Sequence, residues 1–68
     1  PVQVYLNGED KEVQVRIFDI AGNKLSDTEQ AVATNRNIVI ELSSYTDGIY
    51  MVQLEGKTIS KTFKIVKK

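Results

Sequence analysis

Apolar and polar residues alternate along most of the chain. An apolar residue occupies every second position in five stretches: Val2, Val4 and Leu6; Val13, Val15 and Ile17; Ile38, Ile40 and Leu42; Tyr50, Val52 and Leu54; and Ile59, Phe63 and Ile65, with Lys61 filling one place in the last set. A period of two is typical of a strand with one buried face. No stretch of about ten residues repeats its apolar positions with the spacing of a helix. The pattern therefore predicts an all-β protein.

Turn-forming residues separate these stretches. They are Asn7-Gly8, Ala21-Gly22-Asn23, the polar segment 34–37, Asp47-Gly48 and Glu55-Gly56-Lys57. Asparagine and glycine tolerate positive φ, and Gly22 suits the left-handed position of a three-residue hairpin. Short alternating strands between regularly spaced turns are typical of an antiparallel sandwich or barrel. We count six strands, and a seventh if the segment 24–33 breaks into two pieces.

The strand assignment also predicts the residues of the hydrophobic core. A chain of this size buries only about 60% of the surface that its unfolded form exposes, so its core must be efficient. The core candidates are Val4, Val15, Ile17, Ile40, Leu42, Ile49, Val52, Leu54, Phe63 and Ile65.

The composition excludes several classes of function. The 68 residues suffice for one small domain, residues 1–68, and include no cysteine and no histidine. Disulfides, thiolate sites and histidine-based zinc or nucleophile sites are therefore excluded. Nine basic residues balance nine acidic ones, which argues against nucleic acid or an anionic membrane as the main partner. Because the chain begins at Pro1 rather than at a methionine, we expect it to be a fragment of a larger protein.

The remaining polar residues do not suggest catalysis. Glu9, Asp10 and Glu12 lie together around the first turn, where we expect solvated charge rather than a pair of carboxylates with separated pKa values. No calcium-loop spacing occurs. Ser60 and Lys61 are adjacent on a predicted strand, so their side chains point to opposite faces and cannot readily share a proton. We expect no catalytic residue, no metal and no cofactor.

The aromatic residues are few and have no basic groove beside them. They are Tyr5, Phe18, Tyr45, Tyr50 and Phe63. We interpret them as packing residues of the core or of the seam between sheets rather than as base-stacking platforms. Tyr45 and Tyr50 have two possible roles: a packed ring with a hydroxyl bonded to the backbone, or part of a recognition surface.

Lysines are concentrated near the C-terminal end of the chain. They are Lys57, Lys61, Lys64, Lys67 and Lys68. One interpretation is an edge strand whose charges prevent pairing with other chains. The other is a basic C-terminal tag that a partner recognises. Composition alone leaves both open.

Three ordered segments resemble one protein family. Residues 15–25, VRIFDIAGNKL, are similar to its central hairpin, and residues 40–54, IELSSYTDGIYMVQL, to its segment with a Gly-Ile/Val-Tyr turn. Residues 61–68, KTFKIVKK, resemble its terminal strand. The family is the C-terminal sorting domain of proteins exported by the bacterial type IX (Por) secretion system.

The first residues also match the family's opening segment, with one departure. Pro1, Tyr5 and Asn7 match its spacing, while Gly8 stands where a second proline is usual and Tyr45 replaces a more usual leucine later in the chain. Carried over residue by residue, the resemblance implies a sorting signal that is recognised through ten positions: Pro1, Tyr5, Asn7, Gly48, Tyr50, Lys64, Ile65, Val66, Lys67 and Lys68.

The resemblance implies a signal and not an enzyme. Members fold as a seven-stranded immunoglobulin-like sandwich behind a passenger domain, so the predicted fold class is an immunoglobulin-like antiparallel β-sandwich of six to seven strands. The implied partners are the type IX translocon, an outer-membrane shuttle protein and a sortase-like cysteine peptidase. The peptidase removes the domain and often joins the passenger to lipopolysaccharide. The implied location is the periplasm in transit, and then the outer-membrane surface or the medium.

Other interpretations stay open at this stage. The chain could be an accessory immunoglobulin-like or fibronectin-like module of a bacterial surface protein, which would act at any position in its protein. An enzyme and a subunit-pairing or designed β domain are further alternatives. An exposed edge strand would also permit a strand-swapped homodimer.

Overall fold

The structure is a computed structural model that describes residues 2–68. Its strands are β1 Val2–Tyr5, β2 Glu12–Asp19, β3 Lys24–Ala31, β4 Asn37–Ile40, β5 Gly48–Glu55 and β6 Ser60–Lys67. No helix occurs within residues 2–68, which confirms the all-β prediction. β3 is continuous, so the segment 24–33 does not supply a seventh strand.

The six strands form two antiparallel sheets that pack together. The larger sheet has the order β3-β2-β5-β6, and the smaller sheet pairs β1 with β4. β4 lies on the β3 side, where the side-chain amide of Gln30 donates to the carbonyl oxygen of Val39 at 3.0 Å. β1 lies on the β6 side, where Val2 and Ile65 line one open groove. The predicted immunoglobulin-like sandwich is confirmed, with two strands facing four.

The hydrophobic core lies between the two sheets. Its buried side chains are Leu6, Val13, Val15, Ile17, Ile38, Ile40, Leu42, Tyr50, Val52 and Leu54. Every one of them belongs to an alternating set in the sequence. Among the other core candidates, Val4, Phe63 and Ile65 are half-buried and pack against this cluster.

The core assignment of Ile49 is wrong. Its side chain is 36% exposed, because successive residues of a strand point to opposite faces and its neighbour Tyr50 takes the inward position. Ile49 lies instead on the outer face of the larger sheet, directly opposite Val66 of β6.

Two of the predicted turns use glycine in the left-handed region. Gly8 has φ 87° and Gly22 has φ 91°, as the sequence predicts. At the second turn the carboxylate of Asp19 accepts hydrogen bonds from the backbone N–H and the side-chain amide of Asn23, at 2.9 and 3.0 Å. The bond from the Asn23 side chain makes the largest contribution to lowering the pKa of Asp19.

The outer face of β2 carries a small charged network. Arg16 forms ion pairs with Asp27 of β3 at 3.4 Å and with Glu55 of β5 at 2.9 Å. Hydrogen bonds from Lys24 and Gln14, in that order, lower the pKa of Asp27. Exposed pairs of this kind contribute little stability individually, but they hold three strands of the larger sheet in register.

Candidate recognition surface

The terminal strand β6 forms one edge of the larger sheet. It pairs only with β5, in a regular antiparallel register from Gly48↔Lys67 to Glu55↔Ser60. Phe63 and Ile65 lie opposite the buried Val52 and Tyr50 and therefore belong to the inner face. The edge position that the lysine-rich sequence predicts is confirmed.

The lysines of β6 do not all lie on its outer face. Lys64 pairs with Met51 and faces outward, whereas Lys61 and Lys67 pair with Leu54 and Gly48 on the inner register. The basic residues of β6 are therefore divided between its two faces. Its inner face is apolar in the middle and carries a lysine near each end.

Lys67 joins the end of β6 to the connection between β4 and β5. Its ammonium donates hydrogen bonds to the carbonyl oxygens of Leu42, at 2.9 Å, and of Tyr45. The backbone N–H of Tyr45 also donates to the carbonyl oxygen of Leu42, at 3.0 Å. The side chain of Lys67 is thus used inside the domain, and it supports the turn instead of facing a partner.

We expect Lys67→Met to destabilise the domain because it removes an ammonium with two acceptors but keeps the aliphatic stem. The expected loss in the free energy of unfolding is about 1–2 kcal/mol, measured by urea denaturation. Lys68→Met is the matched control, since Lys68 is exposed and donates no side-chain hydrogen bond within the described residues. Equal losses for the two variants would contradict this role of Lys67.

Gly48 and Tyr50 lie beside the terminal strand. Gly48 pairs with Lys67 and Tyr50 pairs with Ile65. The ring of Tyr50 is 6% exposed and stacks on Tyr45 with a centroid distance of 5.5 Å, and its hydroxyl donates to the carbonyl oxygen of Thr46. Tyr50 therefore has the packed role, with its hydroxyl bonded to the backbone, and the ring of Tyr45 packs against it. Tyr50 supports this part of the domain from within the core and is not exposed to a partner.

The residues of the opening segment are spread along β1. Val2 lies beside the end of β6, in a groove of about 420 Å³ that Lys67 and Lys68 also line. Tyr5 is the last residue of β1 and Asn7 follows the strand, and both are exposed. Tyr5 is 60% exposed, so its assignment as a packing residue is wrong. Pro1 lies outside the described residues.

An exposed apolar pair lies on the outer face of the larger sheet. Ile49 is 36% and Val66 51% exposed, and the two residues face each other across β5 and β6. The next pair of residues on the same face, nearer the middle of the two strands, is Met51 opposite Lys64. Sequence reasoning missed Ile49 here, although the alternation of β5 places it out of phase with Tyr50, Val52 and Leu54.

The carboxylate of Asp10 is buried, which corrects its prediction as a solvated charge. Asp10 is 8% exposed because the β5–β6 turn folds over it. Its oxygens accept the Thr58 hydroxyl and the backbone N–H groups of Lys57 and Thr58. The Thr58 hydroxyl makes the largest contribution to lowering the pKa of Asp10, and the two backbone donors lower it further.

Gly56 provides the room for this contact. A Cβ at Gly56 would approach the Asp10 carboxyl carbon to 2.9 Å. On the other side of Asp10, its backbone carbonyl oxygen accepts a hydrogen bond from Arg36 at 2.6 Å. The sequence predicts Gly56 only as part of a turn, and the structure shows that the lack of a side chain there also admits the Asp10 carboxylate.

The structure also locates the residues considered for metal binding and catalysis. Within residues 2–68 no group of three acidic side chains converges on a possible metal site. Ser60 pairs with Glu55 and Lys61 with Leu54, so their side chains lie on opposite faces as predicted. This part of the chain also has no helix that is long and apolar enough to cross a membrane.

The fold places the chain in the class of small all-β sandwich domains with an open edge strand. The family model described as the secretion system C-terminal sorting domain matches residues 1–68. The chain therefore belongs to the family of C-terminal sorting domains of type IX secretion, which is not an enzyme family. Comparison with curated proteins and with solved structures finds no match.

Proposed function

We propose that this domain directs a passenger protein across the outer membrane through the type IX machinery and is then removed at the cell surface. Membership in the family supports the first half, since a type IX sorting domain interacts with the secretion machinery, follows a passenger and leads to export. In the full proposal the domain folds in the periplasm and a shuttle protein receives it. A sortase-like cysteine peptidase then cleaves it from the passenger, which can be joined to lipopolysaccharide.

The assignment of the signal to one surface rests on one observation. The Gly48–Tyr50 segment and the end of β6 are separate in sequence, yet they pair directly through Gly48↔Lys67 and Tyr50↔Ile65. We define the terminal surface as this end of the sandwich together with the exposed residues Ile49, Lys64, Val66 and Lys68. A single partner can contact all of it at once.

The proposed signal residues divide into two roles. Lys64, Val66 and Lys68 are exposed and available to a partner, and so are Tyr5 at the end of β1 and Asn7 just after it. The others hold the surface in shape: Gly48, Tyr50, Ile65 and Lys67. For Pro1 only the match to the family's opening segment supports a role.

The direct test is a transplant of the domain. Residues 1–68 are fused behind a signal peptide and a fluorescent passenger in a bacterium with type IX machinery. We expect the passenger to reach the surface or the medium, with a mass that shows removal of the domain. The matched control carries the same 68 residues between the signal peptide and the passenger, where we expect no export.

Either of two results would contradict the proposal. Passenger retained in the periplasm with a folded domain would favour an accessory immunoglobulin-like module. Export from both positions would show that the domain does not act as a C-terminal signal. A strand-swapped homodimer stays a prediction, which size-exclusion chromatography of the fusion would test.

A further inference from the structure

The free edge of β6 presents a regular row of backbone groups. Gly56 donates its N–H to the carbonyl oxygen of Ile59 at 2.8 Å, and the register continues without interruption to Gly48↔Lys67. Hydrogen-bonded and non-hydrogen-bonded pairs alternate in an antiparallel ladder. The inner-face residues of β6 therefore bond to β5, and the N–H and C=O groups of the residues between them point away from the sheet. Those residues are Ser60, Thr62, Lys64 and Val66.

The same residues present their side chains on the outer face of the sheet. Lys64 is exposed, and Val66 is 51% exposed. The ion pairs of the described chain all involve Arg16 or Lys24, so no carboxylate pairs with Lys64 or Lys68 in residues 2–68. Backbone groups, a free charge and an exposed apolar side chain thus coincide along one edge.

The inner side of this edge is also incompletely covered. Phe63 and Ile65 are only half-buried, and the groove of about 420 Å³ separates the end of β6 from Val2 of β1. A strand added along β6 would direct every second side chain toward this groove. Apolar side chains at those positions would complete the cover of the core.

We propose that an extended acidic segment of the type IX machinery adds to β6 as a further strand. Its inward side chains are apolar, and on its outward face a carboxylate lies opposite Lys64 with an apolar side chain opposite Val66. Directly opposed side chains on one face of a sheet are about 5 Å apart, close enough for both contacts. This inference rests on the proposed function, because it names the partner of the terminal surface.

A second copy of the chain is a poor occupant of this edge. Antiparallel pairing of two β6 strands centred on Lys64 would place the Lys64 side chains of both copies opposite each other, and opposed like charges destabilise a sheet. The acidic edge of a second copy would be β3, where Asp27 already pairs with Arg16 and Lys24, so this edge offers only Glu29 as a carboxylate without an ion pair. The charge on β6 therefore favours an acidic strand from another protein.

The backbone part of the proposal is tested with Thr62→Pro in the exported fusion. Thr62 directs its N–H outward, and proline is tolerated at such edge positions. We expect this variant to stay folded, as measured by circular dichroism. We expect it to lose export and to lose the binding of a synthetic peptide that adds to β6 as a strand. Thr62→Val is the matched control, because it keeps the backbone N–H and nearly the same side-chain shape.

The charge part is tested with two synthetic eight-residue peptides that bear a fluorescent label. Both have apolar residues at the inward positions; one has glutamate and the other lysine at the position opposite Lys64. By fluorescence anisotropy we expect the glutamate peptide to bind the fusion at least about tenfold more tightly. Lys64→Glu should reverse this preference, whereas Lys11→Glu, which changes the net charge equally at an exposed position in the β1–β2 connection, should not.

The outcomes separate this inference from the proposed function. If the unmodified fusion is not exported, the proposed function fails. If it is exported and the folded Thr62→Pro variant is exported equally well, strand addition is wrong while the sorting function stands. If Thr62→Pro does not fold, the peptides decide: equal binding of both, or a preference that Lys64→Glu leaves unchanged, would overturn the proposal.

Discussion

Leu54→Ala is expected to remove most of the stability of this domain. Leu54 is fully buried, with 0% of its surface exposed, and lies in the middle of the larger sheet between Val15 of β2 and Lys61 of β6. Truncation of a buried leucine costs about 2–5 kcal/mol, since it loses apolar burial and leaves a cavity. A domain of this length has a total stability of only about 3–10 kcal/mol. The measurement is the free energy of unfolding from urea denaturation.

A second leucine of the same sheet is a matched control. Leu25 of β3 is 40% exposed at the irregularity in the β2–β3 register, so Leu25→Ala should change the free energy of unfolding by less than about 1 kcal/mol. If Leu54→Ala leaves too little folded protein to measure, Leu54→Val gives the same comparison at a smaller cost. A loss at Leu25 as large as that at Leu54 would contradict the position of the core.

Asp10→Asn is expected to have the second large effect on stability. Lys57 donates its N–H to one carboxylate oxygen of Asp10 at 2.5 Å, while the other oxygen accepts from the N–H and hydroxyl of Thr58. The asparagine side chain has only one oxygen that can accept a hydrogen bond, and its NH2 group would face the donors of Lys57 or Thr58. At least one of these buried donors would therefore lose its acceptor. The β5–β6 turn should loosen, which a lower unfolding midpoint at neutral pH would show. Asp47→Asn, at an exposed turn position, is the control.

The same carboxylate predicts how stability depends on pH. Hydrogen bonds to its charged form, first from the Thr58 hydroxyl, lower the pKa of Asp10 in the folded state below its ordinary value of 3.8. The charged form therefore stabilises the fold above that ordinary value, and this stabilisation is lost as the pH falls through the lowered pKa. Asp10→Asn should weaken this acid dependence, measured by thermal unfolding from pH 6 down to about pH 2. An unchanged dependence would show that the contact does not favour the charged form.

The fold follows from the sequence because its alternation is unusually complete. Each buried apolar side chain of the sandwich lies in an alternating set, and glycine has positive φ in the turns at Gly8 and Gly22, whereas Arg36 adopts a positive φ of 65° without being a glycine. The core assignment of Ile49 is wrong because the segment IYM offers three apolar residues in succession, although the alternation of Tyr50, Val52 and Leu54 places Ile49 on the opposite face, as the pairing with β6 shows.

Less of the recognition surface than of the fold could be predicted from the sequence. The lysine pattern predicts an edge strand, but it does not show that Lys67 turns inward to bind the carbonyl oxygens of Leu42 and Tyr45. Asp10 was misjudged for a similar reason, since its donors lie more than 40 residues further along the chain. Both contacts are made between segments distant in sequence, and a local pattern carries no signal for them.

The placement of β1 beside the end of β6 has a mechanical consequence. Val2 and Lys68 line the same groove, so a force applied between a preceding passenger and a held terminal strand acts at one end of the sandwich. Such a force loads the backbone bonds between β1 and β4 one after another, starting at Val2↔Ile40, instead of all together. Strand β1 is only four residues long, and it would peel away while the four-stranded sheet, with β6 in place, stays intact. A pulling force on the passenger would therefore open the sandwich at its smaller sheet, while β6 stays paired with β5.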